Sequence, residues 1–430
     1  MSEADVKDQK VEIMLQRSLR RNVVAALTDS GAFGGALGFI GYSTVLPTMA
    51  LALSHSEPFV GLITTIWSGL WLLPQLPAGR WMAGRPHKKP ILLRVAFFSR
   101  ISLVLFAIAL ALNLNPSLLM ILLPLVLATF RGLDGVAAVA WFDIISKMFP
   151  PHIRGKILGW TQSAAFALQF MSAFVVAWAL GDTGLAFPYN YALLMGLAGL
   201  FVLISWSALL FYVEPPGDVS NNVSAQLSIG AHARHILTSD RSFCLNALGR
   251  ILIGGIGFAT PFYVLLATQV LKVPDDTIGL FLAAQTAGGV VSSLICGSIS
   301  QKRGSHLVIR ITMILALIPP ILALLLNFLA RDNATLATVG MLAIFVALGA
   351  TDGSFLLGFL QHVLDIASPA ERTAYTGLSN TIGGLTVIAP TIGGLLLQAT
   401  SFQALFVVTA VFPIAGLLVV LRIPRARREA

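Results

Sequence analysis

The sequence predicts an all-α integral membrane protein whose twelve transmembrane helices form two pseudo-symmetric six-helix bundles. Three observations carry this expectation. Of 430 residues, 56% are hydrophobic and only 11% charged, with a mean hydropathy of +0.84. A soluble domain carries roughly 25% charged residues, so lipid must solvate most of this chain. The apolar residues also fall into long runs divided by short basic segments. Finally, the polar stretch PPHIRGKILG, at 150–159, returns altered as SPAERTAYTG, at 368–377, an interval of 218 positions.

A helix crossing about 30 Å of hydrocarbon needs about 20 apolar residues. Such runs occur at 23–52, 59–82, 90–112, 117–147, 157–180 and 189–213, then at 242–270, 276–299, 306–328, 334–364, 373–398 and 402–422. They are long and continuous and lack the ten-residue alternation of barrel strands, so they read as helices. The domain plan follows in chain order. Residues 1–22 form a cytoplasmic N-terminal segment, in which VEIMLQRSLRR reads either as a short amphipathic surface helix or as a basic flank. Residues 23–213 form the first bundle. Residues 214–241, rich in Pro, Gly, Ser and Asn, form a cytoplasmic linker. The second bundle is 242–422, and 423–430 is a cytoplasmic tail.

Lys7, Lys10, Arg17, Arg20, Arg21, Arg85, Lys88, Lys89, Lys147, Arg154, Lys302, Arg303 and the terminal arginines all fall on one side of these spans. The other side has only Lys272 and Arg331. The positive-inside rule then puts both termini in the cytoplasm of a multi-pass cell-membrane protein. The isoelectric point near 9.9 therefore reflects topology rather than nucleic-acid binding. The first apolar run is too long for the core of a signal peptide, so no cleavable leader is expected. Cys244 and Cys296 lie in or beside apolar runs, which suits neither a disulfide framework nor a zinc site. No P-loop, dinucleotide-binding, HExxH, GxSxG or Cys–His pattern occurs. No enzyme, cofactor or metal is expected, and ATP is not the expected energy source.

The interval of 218 extends beyond the polar stretch. It links Gly61 to Gly279, Gly79 to Gly297, Asn115 to Asn333, Asp134 to Asp352, Gly135 to Gly353, Pro151 to Pro369 and Arg154 to Arg372. One ungapped register thus connects spans two to five with spans eight to eleven. A parallel repeat of this kind implies a pseudo-two-fold axis along the membrane normal and a site between the halves.

These residues resemble the major facilitator superfamily. GRWMAGRPHKK from Gly79 and GSISQKRGSH from Gly297 are similar to its loop pattern Gly-x-x-x-Asp-Arg/Lys-x-Gly-Arg-Arg/Lys. The second copy keeps Lys302 and Gly304, the first has Pro86 in the glycine position, and Ala83 and Gln301 replace the aspartate. LATFRGLDGVAA, with Arg131 and Gly135, resembles the family's fourth span. The Gly-Pro-x-x-x-Gly motif of drug–proton antiporters is missing from span five, and APTIGG in span eleven is a faint analogue. The resemblance implies a cytoplasmic gate involving Gly79, Arg85, Asp143, Arg154, Gly297, Lys302, Gly304, Asp365 and Arg372. It also implies a central cavity lined by spans one, four, seven and ten.

Charges within lipid need a partner, a cavity or a function. Asp29, Arg131, Asp134, Arg250 and Asp352 lie on those four spans. Asp29 and Arg131 both sit about 9 Å from the cytoplasmic edge at 1.5 Å per residue, and Asp134 is one turn further along the face of Arg131. Asp29, Arg131 and Asp134 are therefore expected to form a proton-coupling cluster, against the alternative of static salt bridges in which Asp134 and Asp352 reach Arg154 and Arg372. Arg250 is expected to pair with Asp29 or Asp352, or to bind an anionic substrate group, and Arg100 to brace its neighbours. Cavity candidates are Arg250 and Asp352 with Tyr42, Trp67, Trp71 and Gln75. Gln162, Asn246, Tyr263, Gln285 and Asn380 complete the set.

The expected function is secondary active transport by alternating access, with protons as coupling ion and a small-molecule substrate, by a monomer in a lipid bilayer. Apolar, aromatic-rich spans lean toward export of a hydrophobic or amphipathic compound. The alternatives are proton-coupled uptake of a sugar, nucleoside, organic anion or peptide, and a non-transporting sensor or assembly factor.

Overall fold

The computed structural model describes residues 3–82, 85–217, 229–330, 333–367 and 372–424. Among them twelve helical spans are long and apolar enough to cross a bilayer. They are Gln16–Ser54, Glu57–Met82, Lys89–Ala111, Pro116–Met148, Ile153–Leu180, Tyr189–Leu209, Arg241–Val270, Thr277–Arg303, Ser305–Leu329, Ala334–Ile366, Tyr375–Ala399 and Phe402–Val420. The described residues contain no strand. Large exposed side chains along the spans are apolar, among them Phe98, Leu105, Ile121, Leu294 and Leu418, which suits contact with acyl chains.

Two local expectations need correction. One helix runs unbroken from Glu3 to Ile40, so the polar N-terminal segment is the start of the first span rather than a separate surface helix. The linker also holds a helix, Ile229–Ser239, while its 218–228 stretch lies outside the described residues.

Several spans are interrupted where their residues demand it. The first breaks at Gly41, whose φ of +48° suits a residue without Cβ, and resumes as Val45–Ser54. The seventh passes through 3-10 turns at Gly255–Phe258 and Thr260–Phe262 and a π turn at Leu266–Val270. Span ten has a π turn at Leu356–Leu360 and span eleven a 3-10 turn at Gly384–Thr386. Glycine and proline cause most such interruptions, and π turns concentrate at functional sites.

The chain forms two compact units. The first holds Met1–Ile40, Leu70–Ser172 and Phe187–Leu227; the second holds Gly41–Gly69, Ala173–Ala186 and Ser228–Ala430. Compactness therefore does not follow the expected division into 23–213 and 242–422. Residues 41–69 and 173–186 belong with the second unit because small residues let backbones touch there. Gly61 lies against the Pro390 carbonyl, Gly279 against the Ala173 carbonyl and Gly394 against the Glu57 carbonyl, and a side chain at any of them would overlap main chain.

The duplication is visible inside each unit. In the first, Gly135 rests on the Trp71 carbonyl; in the second, Gly353 rests on the Gly289 carbonyl. Positions 71 and 289 share the 218-residue interval with 135 and 353. Asn115 and Asn333 likewise each cap their helix, accepting from the amides of Ser117 and Leu336 at 2.9 Å.

Candidate functional site

In the first unit Asp134 is buried between two guanidinium groups. Arg100 Nη1 donates to its Oδ1 at 2.9 Å, and Arg131 Nη1 lies 3.6 Å from Oδ2. Both arginines are themselves stacked, Arg100 over Phe33 at 5.2 Å and Arg131 over Trp71 at 5.6 Å. A carboxylate flanked by two guanidinium groups is tied to both by charge and hydrogen bonding. The group suits fixing spans three and four together better than exchanging a proton.

Asp29 does not join this group. Its side chain turns toward span six, where Ser205 Oγ donates to Oδ1 at 2.6 Å and the Tyr212 hydroxyl to Oδ2 at 2.8 Å. Trp141 Nε1 also donates to Oδ2, at 2.8 Å. The expected cluster of Asp29, Arg131 and Asp134 is thus split, although helical depth suited it. Depth along an axis does not fix the direction in which a side chain points. Ser205 lies on span six and Tyr212 just beyond its end, and with Trp141 they give the carboxylate three donors.

Asp352 occupies the position equivalent to Asp134 in a different setting. Adding 218 shows why: the counterparts of Arg131 and Arg100 are Gly349 and Ile318. Asp352 Oδ2 instead accepts from the Tyr42 hydroxyl at 2.8 Å and from Gln285 Nε2 at 3.2 Å. Ser43 Oγ donates to Gln285 Oε1 at 2.6 Å, which fixes the amide's orientation. No cation among the described residues lies within ion-pair distance of Asp352. It is exposed near the midpoint of span ten.

On the same helix face, three residues along, Phe355 lies under the Arg250 guanidinium at 5.5 Å. Arg250 Nη1 donates to Ser379 Oγ at 2.8 Å and Nη2 to Asn380 Oδ1 at 3.0 Å. The expected pairing with Asp352 is not made. Spans one, seven, eight, ten and eleven thus converge within the second unit on one polar strip: Tyr42, Gln285, Asp352, Phe355, Arg250 and Asn380.

Other cavity candidates are placed elsewhere. Tyr263 is buried and stacked on Phe406 at 5.2 Å. Asn246 is buried and donates to the Phe359 carbonyl at 3.3 Å, beside the π turn that disturbs the helical ladder. Both pack helices and neither lines the strip. Gln75 donates to the Trp71 carbonyl at 3.0 Å, Trp67 is buried, and Gln162 is exposed.

The gate residues also separate. Asp143 pairs with Lys88 at 2.7 Å and Lys147 at 2.5 Å, and Lys147 reaches Glu214 at 3.4 Å. Glu214 in turn accepts from the backbone amides of Lys88 and Lys89, at 2.9 and 2.8 Å. Arg154 donates to the carbonyls of Ser146 and Phe149 and so caps span four; the alternative pairing with Asp134 is not formed. Arg85 stacks on Trp81 at 4.9 Å. Asp365 accepts from Ser305 Oγ at 2.6 Å and Gln361 Nε2 at 2.9 Å; the side chain of Arg372 lies outside the described residues. Gly79 and Gly297 have no neighbour that a methyl would strike. Gly304 ends span eight at φ +98°, and the exposed Lys302 precedes it.

Sequence reasoning missed Glu214, Ser205, Tyr212, Ser43 and Ser379. Glu214 is the first residue after an apolar run and reads as linker. The hydroxyls look like ordinary span residues until a carboxylate is known to face them.

Residues 243–430 match the family model described as Major Facilitator Superfamily. No curated protein matches the chain. Solved structures similar over nearly its whole length include the nucleoside transporter NupG, at 13% identity and a TM-score of 0.64, covering 94% of this chain and 99% of that one. A D-xylose-proton symporter matches at 16% identity and a TM-score of 0.68, covering 95% and 99%. A bacterial homologue of the human lysosomal transporter Spinster, inward-facing and unoccupied, matches at 16% and 0.63, covering 93% and 94%. The chain thus shares the fold of these transporters along its length, and residues 243–430 match the Major Facilitator Superfamily by sequence.

Proposed function

We propose that the protein is a proton-coupled secondary transporter that moves a small polar solute by alternating access, with Asp352 as the coupling acid. It sits in the cell membrane with both termini in the cytoplasm and acts as a monomer. The observation that carries this reading is the exposed Asp352 carboxylate, held by Tyr42 and Gln285 with no cation beside it among the described residues. Removal from water and contact with a substrate would shift such a group between charged and neutral forms. Tyr42 follows the Gly41 break in span one, so losing or gaining the proton bears on a joint as well as on a site.

Asp134 and Asp29 serve here as braces. The polar strip favours uptake of a polar solute over export of a hydrophobic one. Reconstituted vesicles with an imposed pH gradient, screened with a panel of labelled metabolites, test the reading. Uphill accumulation that Asp352→Asn abolishes, with downhill exchange retained, is the expected result. Accumulation by Asp352→Asn equal to wild type overturns it.

A further inference from the structure

We infer that Arg250 docks the carboxylate of a small organic anion, which makes organic anions the substrate class. This rests on the transport reading above. The guanidinium has five N–H donors, and Ser379 and Asn380 occupy two of them. Those partners are neutral, Phe355 offers only its ring face, and no described carboxylate lies within ion-pair distance. A part-buried cation on a membrane-spanning helix whose charge nothing cancels is poised for an anion from outside the chain. Ser379 and Asn380 hold the fork in one orientation, which suits the planar two-point geometry of a carboxylate. One guanidinium suits one negative charge, so a dianionic phosphate, which would need a second cation, is disfavoured. Phe355 and Asp352 lie one turn apart on the same face. An ionised Asp352 would repel the incoming anion, so anion binding and protonation of Asp352 favour one another.

The test measures thermal stabilisation of the purified full chain by benzoate and acetate, against uncharged benzamide and acetamide. The carboxylates are expected to raise the unfolding midpoint where the amides do not, and Arg250→Gln should weaken binding by about tenfold or more, as loss of a charge-assisted pair does. Should Arg250→Gln fail to fold, Asn380→Asp serves instead: it gives the guanidinium an internal carboxylate, so the variant should fold and ignore benzoate. Equal stabilisation by acids and amides, no response to either acid, or benzoate binding to Asn380→Asp as in wild type overturns the assignment. Vesicle flux is read separately. Proton-driven transport without an anion response removes only the anion site, and an anion response without proton-driven flux removes only the transport reading.

A second and independent site lies at the basic end of the first unit. A cavity of about 620 Å³ is lined by Arg17, Arg20, Arg21 and Val24 from span one and by Ser207 and Phe211 from span six. Residues 17, 21, 24 and 28 fall on one helix face, so charge at the mouth gives way to apolar surface deeper along the same stripe. Arg21 is fixed by its Nε donating to the Phe211 carbonyl at 2.9 Å, and among the described residues no acid lines the cavity. The geometry points to the headgroup of an anionic phospholipid, with its acyl chains along Val24 and Phe211. Native mass spectrometry of protein from mixed phosphatidylglycerol–phosphatidylcholine nanodiscs should show retained phosphatidylglycerol. Combined Arg17→Gln, Arg20→Gln and Arg21→Gln substitution should abolish that retention. Equal retention of both lipids, unchanged retention in the variant, or displacement by millimolar inorganic phosphate alone overturns the site.

Discussion

Asp134→Asn is the substitution whose consequence the geometry fixes most tightly. The carboxylate meets Arg100 at 2.9 Å and Arg131 at 3.6 Å, and all three side chains are nearly buried. Two unit charges about 4 Å apart attract by about 4 kcal/mol at an effective dielectric of about 20. Stranding a buried partner costs roughly 3–5 kcal/mol. Asp134→Asn strands two guanidinium groups, and a loss of that size lowers the unfolding midpoint by roughly 10 °C for a unit of this size. Arg100→Gln should cost clearly less, because Arg131 still pairs with the remaining carboxylate. The double variant Arg100→Gln with Asp134→Asn should recover part of the larger loss. Thermal unfolding of the four proteins in one detergent reads the cycle. If Arg100→Gln is as damaging as Asp134→Asn, or if Asp134→Asn is fully stable, the bracing role assigned to this carboxylate is wrong.

Three further outcomes are expected. Asp29→Asn leaves uphill transport intact but lowers stability by about 1–3 kcal/mol per weakened charge-assisted bond from Ser205, Tyr212 and Trp141; loss of proton coupling with unchanged stability would reverse the roles of Asp29 and Asp352. Gly353→Ala and Gly135→Ala each press a methyl into a facing carbonyl and should destabilise by about 1–3 kcal/mol, whereas Gly377→Ala, which meets nothing, should be silent in the same melting assay. Asp275 lies outside the spans, where burial and the nearby charges of Asp182 and Asp276 push its carboxyl above the usual range. Its raised folded value means that stability is greatest below the ordinary value of 3.8 and declines as pH rises through the folded value. Asp275→Asn should therefore raise the neutral-pH midpoint and flatten the acid-side dependence; an unchanged slope would count against the repulsion.

The twelve spans and the duplication were legible because both are one-dimensional. A bilayer demands apolar length, and a duplicated segment leaves glycine, proline, aspartate and arginine in one register. The breaks at Gly41 and Gly304 and the helix caps at Asn115 and Asn333 belong to the same readable class. What escaped was direction around each helix. Asp29 and Arg131 share a depth yet point to different partners, and Tyr263 and Asn246 look like cavity residues but pack inward. The halves were legible as sequence, whereas the compact units follow glycine contacts such as that of Gly61 with Pro390, more than 300 positions away. All members of the polar strip but Phe355 were candidates from sequence, but Tyr42, Gln285 and Asp352 come from three separate spans, and nothing along the chain announces that they meet.

Of the two aspartates at matching positions, Asp134 has arginines beside it and Asp352 has none among the described residues. On the proposed mechanism a single titrating position limits each turnover to one proton. One pH unit across the bilayer then supplies about 1.4 kcal/mol, enough for a roughly tenfold concentration ratio. If the cargo bears one negative charge, cargo and proton together carry no net current. Voltage across the membrane would then neither help nor hinder such a cycle, and acidity alone would drive it.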